Sequence, residues 1–171
     1  MTNDVLQLVI LLILVAVTCY TDWTSRRIPN KALLLALVPS LVLHAVNGTI
    51  FASVQAMVVC FVVAFIFYVT RMVHISPGDV KLLAVLGAIT ADLTVMFLCW
   101  FFFGVFHLIV AIWALWRETK FKPRAVMRTL KLDFVSFVTR TTPVIQPIRL
   151  PAAIPIGIGS VLAYAIAQGV V

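Results

Sequence analysis

Two of the six acidic residues stand where an acid is costly. Asp22 closes an apolar run that starts at Val5. Asp79 opens another, inside His74-Ile75-Ser76-Pro77-Gly78-Asp79-Val80-Lys81-Leu82-Leu83. An ionisable group at the edge of so hydrophobic a segment is by default a functional-site hypothesis. Two carboxylates sharing a site cannot both ionise easily, so one keeps its proton. The ionised partner can take a proton from water while the protonated one donates to a scissile carbonyl. This is the chemistry of an aspartyl protease dyad, and it requires no cofactor.

The neighbouring residues fit that expectation. Gly78 lacks a Cβ, which lets a peptide strand approach the carboxylate and permits unusual backbone angles. Pro77 stiffens the turn, and Ser76 begins it. Lys81 either snorkels to the headgroups or acts on the Asp79 charge. Helix ends suggest a division of roles. Asp79 at a helix N-terminus is favoured as the anion and so as the base, leaving Asp22, at a C-terminus, as the proton donor.

The elements that must position these groups are apolar helices. The chain has 171 residues, of which 63% are hydrophobic and 11% charged. A soluble domain carries about a quarter charged residues, so that class is excluded. The hydropathy pattern predicts an all-α polytopic membrane protein, a bundle of six transmembrane helices over 5–21, 32–46, 50–70, 79–91, 93–116 and 151–170. The N-terminal Met1-Thr2-Asn3-Asp4 lacks the basic region of a cleaved signal peptide, so the first span is expected to be retained. Pro29-Asn30 is expected to stop one helix and cap the next. The fourth helix covers only about 20 Å, less than the hydrocarbon thickness of about 30 Å. It must start inside the protein or thin the bilayer, which draws Asp79 below the headgroups.

All thirteen Lys and Arg fall in 22–31, 71–81 and 117–149 once six spans are threaded with the first loop inside. That is a complete positive-inside pattern, with both termini on the non-cytoplasmic side. Residues 117–149 read as a basic amphipathic segment on the anionic inner leaflet. Topology therefore accounts for the net charge of +7, and nucleic acid is not an expected partner.

Other chemistries find little support. Cys19, Cys60 and Cys99 fall singly in apolar runs and make neither a zinc site nor a disulfide framework. No His, Asp or Glu spacing resembles a metal site. His44 and His107 read as neutral histidines hydrogen-bonded within the bundle, with a proton relay as the sharper alternative. Asp4 and Asp92 read as solvated loop residues. Ser136 and Ser160 have no plausible base. Two rival functions stay open. A small proton-coupled transporter or channel would use Asp22, Asp79 and His107, but would place its ionisable groups nearer the midplane. A catalytically idle scaffold of a pilus or secretion machine is the other.

The run Asp22…Ile28-Pro29-Asn30, followed by Gly78-Asp79-Val80-Lys81-Leu82, resembles the type IV prepilin peptidase family, membrane aspartyl proteases of the G-x-G-D class. Pro151-Ala152-Ala153-Ile154-Pro155-Ile156-Gly157 resembles that family's last helix. The resemblance implies catalytic Asp22 and Asp79, cleavage of a short basic leader from prepilin-like membrane substrates at the cytoplasmic face, and a bacterial inner-membrane location. The cysteine tetrad and the insertion of the larger, methylating members are absent. The chain is thus similar to the short, peptidase-only form that serves Flp/Tad-type pili. Ser76 stands where the family's first motif glycine would be.

Overall fold

In a computed structural model, residues 2–70, 75–119 and 152–168 are described. They form six helices: α1 Thr2–Ser25, α2 Asn30–Val46, α3 Ile50–Thr70, α4 Pro77–Thr90, α5 Leu93–Thr119 and α6 Ala153–Ala167. No strand occurs among the described residues. Two helices are long and apolar enough to cross a membrane, over Val5–Ser25 and Ile50–Thr70, and shorter apolar stretches cover Asn30–Val46, Leu93–Phe106 and Ala153–Ala167. Their outward faces carry large apolar side chains such as Ile13, Leu35, Phe51 and Phe97. Those faces fit a lipid surround rather than water.

The chain divides into two units, one formed by Met1–Phe103 with Pro151–Val171, the other by Gly104–Leu150. Of the second, the described part is the C-terminal portion of α5 up to Thr119. The basic segment anticipated from residue 117 onward lies almost wholly outside the described residues, as do Arg71 and His74. The side chain of His107 also lies outside them.

Helix α4 is the axis of the first unit. From Leu82 to Thr90 every residue is buried. Helices α1, α2, α3 and α6 all pack on it. A helix apolar all round is stable when neighbours cover all of it. Its C-terminal end at Thr90 is buried in the protein, whereas Ser76, Pro77 and Lys81 at its start are exposed. Close approach is paid for in side-chain size. A Cβ at Gly87 would stand 2.7 Å from the Ala56 carbonyl oxygen on α3, and one at Gly157 would stand 2.6 Å from Val15 Cγ1 on α1. Small residues at such crossings let backbones meet, as is usual for helices in membranes.

A helix that ends in the interior leaves carbonyls without intrahelical partners. Neighbouring helices supply them with donors. Ser53 Oγ donates to the Ala88 carbonyl at 2.6 Å, and Ser40 Oγ donates to the same oxygen at 3.4 Å. His44 Nε2 donates to the Ile89 carbonyl at 3.0 Å, while its Nδ1 lies 2.9 Å from Thr49 Oγ1. Ala91 then turns into the left-handed region at φ 49° and donates its N–H to the Gly87 carbonyl. The structural reading of His44 thus has a definite task, capping α4 from α2. Asp92 is exposed as expected, yet it also works, accepting the Thr94 N–H at 2.7 Å at the start of α5.

Candidate active site

Helix α1 continues past the expected end of its span, so Asp22 lies within its last turn. The helix ends where Arg26 takes φ 54° and donates its N–H to the Asp22 carbonyl oxygen at 3.1 Å. This left-handed residue turns the chain towards Ile28, which packs against the core. Ile28 also lies beside Gly78, its Cβ 3.5 Å from where a Gly78 Cβ would stand. Lys81 Nζ donates to Asn30 Oδ1 at 3.3 Å. These contacts join the C-terminal end of α1 to the N-terminal end of α4. Asp22 and Asp79 therefore belong to the same end of the bundle.

Both carboxylates are buried, Asp22 with 8% of its surface exposed and Asp79 with 3%. Each is held by a backbone N–H at a helix start. Asp79 Oδ2 accepts the Ser76 N–H at 2.8 Å, while Ser76 Oγ accepts the Asp79 N–H at 3.3 Å. This reciprocal pair is a capping box. Pro77 occupies the first turn, where its missing N–H costs nothing and its fixed φ suits a helix. Asp22 Oδ2 accepts the Ala153 N–H at 3.0 Å, across 131 residues of sequence. Ala153 is the first residue of α6, whose own preceding residue, Ala152, supplies no side-chain cap.

Several sequence expectations change on this geometry. The division of roles rested on Asp22 lying at a helix C-terminus and Asp79 at an N-terminus. Asp22 in fact also faces an N-terminus, that of α6, so helix ends no longer distinguish the two. Asn30 does not cap α2 through its side chain; it is the first helical residue and partners Lys81 instead. Lys81, exposed, ties the start of α4 to the start of α2. Gly78 is helical and needs no unusual backbone angle. An added Cβ there would meet nothing closer than 3.4 Å, an ordinary contact. Ser76 has φ −85° and ψ 160°, an extended conformation open to any residue, so this position makes no demand for glycine.

Two contributors escaped the sequence reading. The Ser76 cap was detectable, since Ser-Pro-Gly-Asp is the S-x-x-D signature with proline at the first helical position. The Ala153 amide was not, because a backbone donor on a distant helix leaves no mark on side-chain pattern. Among the described residues no cluster of His, Cys, Asp or Glu could hold a metal ion. The cysteines are unpaired, with Cys60 and Cys99 buried and Cys19 partly so.

Residues 9–115 fit the family described as the type IV leader peptidase family. Both aspartates fall within that range, and α6 falls outside it. No curated protein and no solved structure matches the chain.

Proposed function

The chain belongs to the type IV leader peptidase family, matched over more than half its length and hence a family of peptidases, and from that premise we propose that it is a membrane-embedded aspartyl endopeptidase acting through Asp22 and Asp79. Its substrates are prepilin-like membrane proteins of the type IV or Flp kind, from which it removes a short basic leader. It works at the cytoplasmic face of a bacterial inner membrane and carries out no methylation. The observation that carries this reading is the placement of two buried carboxylates at one end of the helix bundle, each accepting a backbone N–H from a helix start. Six spans, with all thirteen Lys and Arg on the cytoplasmic side and both termini opposite, suit the composition. The anionic inner leaflet would hold the basic stretches and the basic leader alike.

In this mechanism one aspartate is ionised and the other protonated. The ionised one accepts a proton from water as the water oxygen attacks the scissile carbonyl. The protonated one donates to the carbonyl oxygen, giving a neutral tetrahedral adduct. Collapse breaks the C–N bond, with the proton passing to the leaving amine, and yields a carboxylic acid and an amine.

The test is cleavage of a prepilin by the purified protein and by Asp22→Asn and Asp79→Asn variants. The asparagine side-chain carbonyl can still accept the backbone N–H bond that each carboxylate accepts. Both variants are therefore expected to stay folded and to lose leader cleavage. Cleavage surviving in either folded variant would remove that residue from the chemistry.

A further inference from the structure

The last helix lies beyond the matched residues 9–115. Its first residue nevertheless touches Asp22 directly. Cys19 and Asp22 are one helical turn apart on α1 and grip Ala153 from both sides. The Asp22 carboxylate accepts the Ala153 N–H at 3.0 Å, and Cys19 Sγ–H donates to the Ala153 carbonyl at 3.4 Å. Ala153 is fully buried. Close packing locks this arrangement, since Gly157, one turn on, sits against Val15 and Cys19 with no space for a Cβ. The sequence around the contact concentrates the interaction further. Pro151 and Pro155 have no N–H, which leaves few amides at the start of α6 in need of an acceptor.

We propose that the first turn of α6 is the positioning element for Asp22, with the Ala153 amide fixing the carboxylate through Oδ2 and so presenting the other oxygen to water and substrate. The proposal rests on the reading of Asp22 as catalytic. A carboxylate on a flexible side chain has rotational freedom about two bonds. One hydrogen bond from a buried helix start removes most of it. Helix α6 would thereby belong to the catalytic apparatus, and Ala153 acts through Asp22 without itself touching substrate.

The residue pair Ala152-Ala153 is the chain's one Ala-Ala step. Labelling alanine with both carbonyl 13C and amide 15N therefore gives a single correlated amide signal, that of Ala153. In detergent micelles this proton is expected far downfield in the wild type. It should move upfield in Asp22→Ala and stay in place in Asp79→Asn. An Ala153 signal identical in the wild type and in folded Asp22→Ala would overturn the proposal.

The second measurement replaces Ala153 by L-lactate, which exchanges the N–H for an ester oxygen and keeps the methyl group and carbonyl. Per folded molecule, kcat for prepilin cleavage is expected to fall roughly ten- to a hundredfold with KM unchanged. The matching hydroxy-acid substitution at Ile154 serves as the control and should spare kcat. A purely structural role for the contact predicts fewer folded molecules with unaltered kcat, and that result also sinks the proposal. Should Asp22→Asn cleave normally, the functional reading itself fails and carries this inference with it. Asp22→Asn inactive beside a fully active ester at 153 would reject the inference alone.

Discussion

Replacing Gly87 by alanine sets two effects against each other at the crossing of α3 and α4. In its favour, alanine is the better helix former by about 1 kcal/mol. Against it, the new Cβ would stand 2.7 Å from the Ala56 carbonyl oxygen, 3.0 Å from the Ala56 carbonyl carbon and 3.0 Å from Cys60 Sγ. Comfortable separations between heavy atoms are about 3.5–4.0 Å. Two of the three obstructing atoms are backbone and cannot swing aside, so α3 and α4 must move apart. Overpacking of this kind costs about 1–3 kcal/mol. The separation also stretches the bond from Ser53 Oγ to the Ala88 carbonyl, one residue further on, at 2.6 Å. Weakening it adds about 1 kcal/mol. The net expectation is a destabilisation of about 1–3 kcal/mol. Reversible unfolding in mixed detergent micelles, followed by circular dichroism, measures it directly. Because α4 carries Asp79, prepilin cleavage should become heat-labile in parallel. Gly87→Ala as stable as the wild type, or more so, would refute the claim that α3 and α4 meet through that glycine.

The remaining expectations concern the same helix and its caps. Gly78→Ala should unfold at or slightly above wild-type stability, since a Cβ there meets only ordinary contacts, the nearest at 3.4 Å; lost cleavage in that folded variant would assign the glycine to substrate approach, whereas lost stability would contradict the geometry. Ser76→Ala should cost about 0.5–2 kcal/mol and Ser76→Gly only a few tenths, because glycine is a tolerable N-cap and alanine is not. Equal stability of all three proteins in the same unfolding assay would show that the capping box contributes nothing. At the other end of α4, Ser53→Ala leaves Ser40 on the Ala88 carbonyl and should cost about 1 kcal/mol, whereas Ser53→Ala with Ser40→Ala strands that carbonyl. The double variant is thus expected to lose more than the two singles together, and simple additivity would argue against a shared acceptor.

Much of the architecture was legible in the chain because hydropathy is a local property. The third helix spans the expected residues 50–70, and the others differ from expectation by a few residues at their ends. Asp22 and Asp79 stood out for the same reason: an acid in an apolar run is conspicuous without knowledge of its neighbours. The Ser-Pro-Gly-Asp cap is equally local, being made within four consecutive residues. What only the tertiary structure decided were the partners that packing brings from afar. The amide of Ala153 on Asp22, the hydroxyls of Ser40 and Ser53 and the imidazole of His44 on the end of α4 are all long-range. None leaves a periodic trace, because backbone donors and single small polar residues look alike in any helix. The need for them follows from elementary physics, since a buried helix end cannot leave its terminal N–H or C=O groups bare. Which neighbours answer that need depends on helix crossings set by the sizes of Gly87 and Gly157 against the chains facing them, and that is information held jointly by residues far apart in sequence.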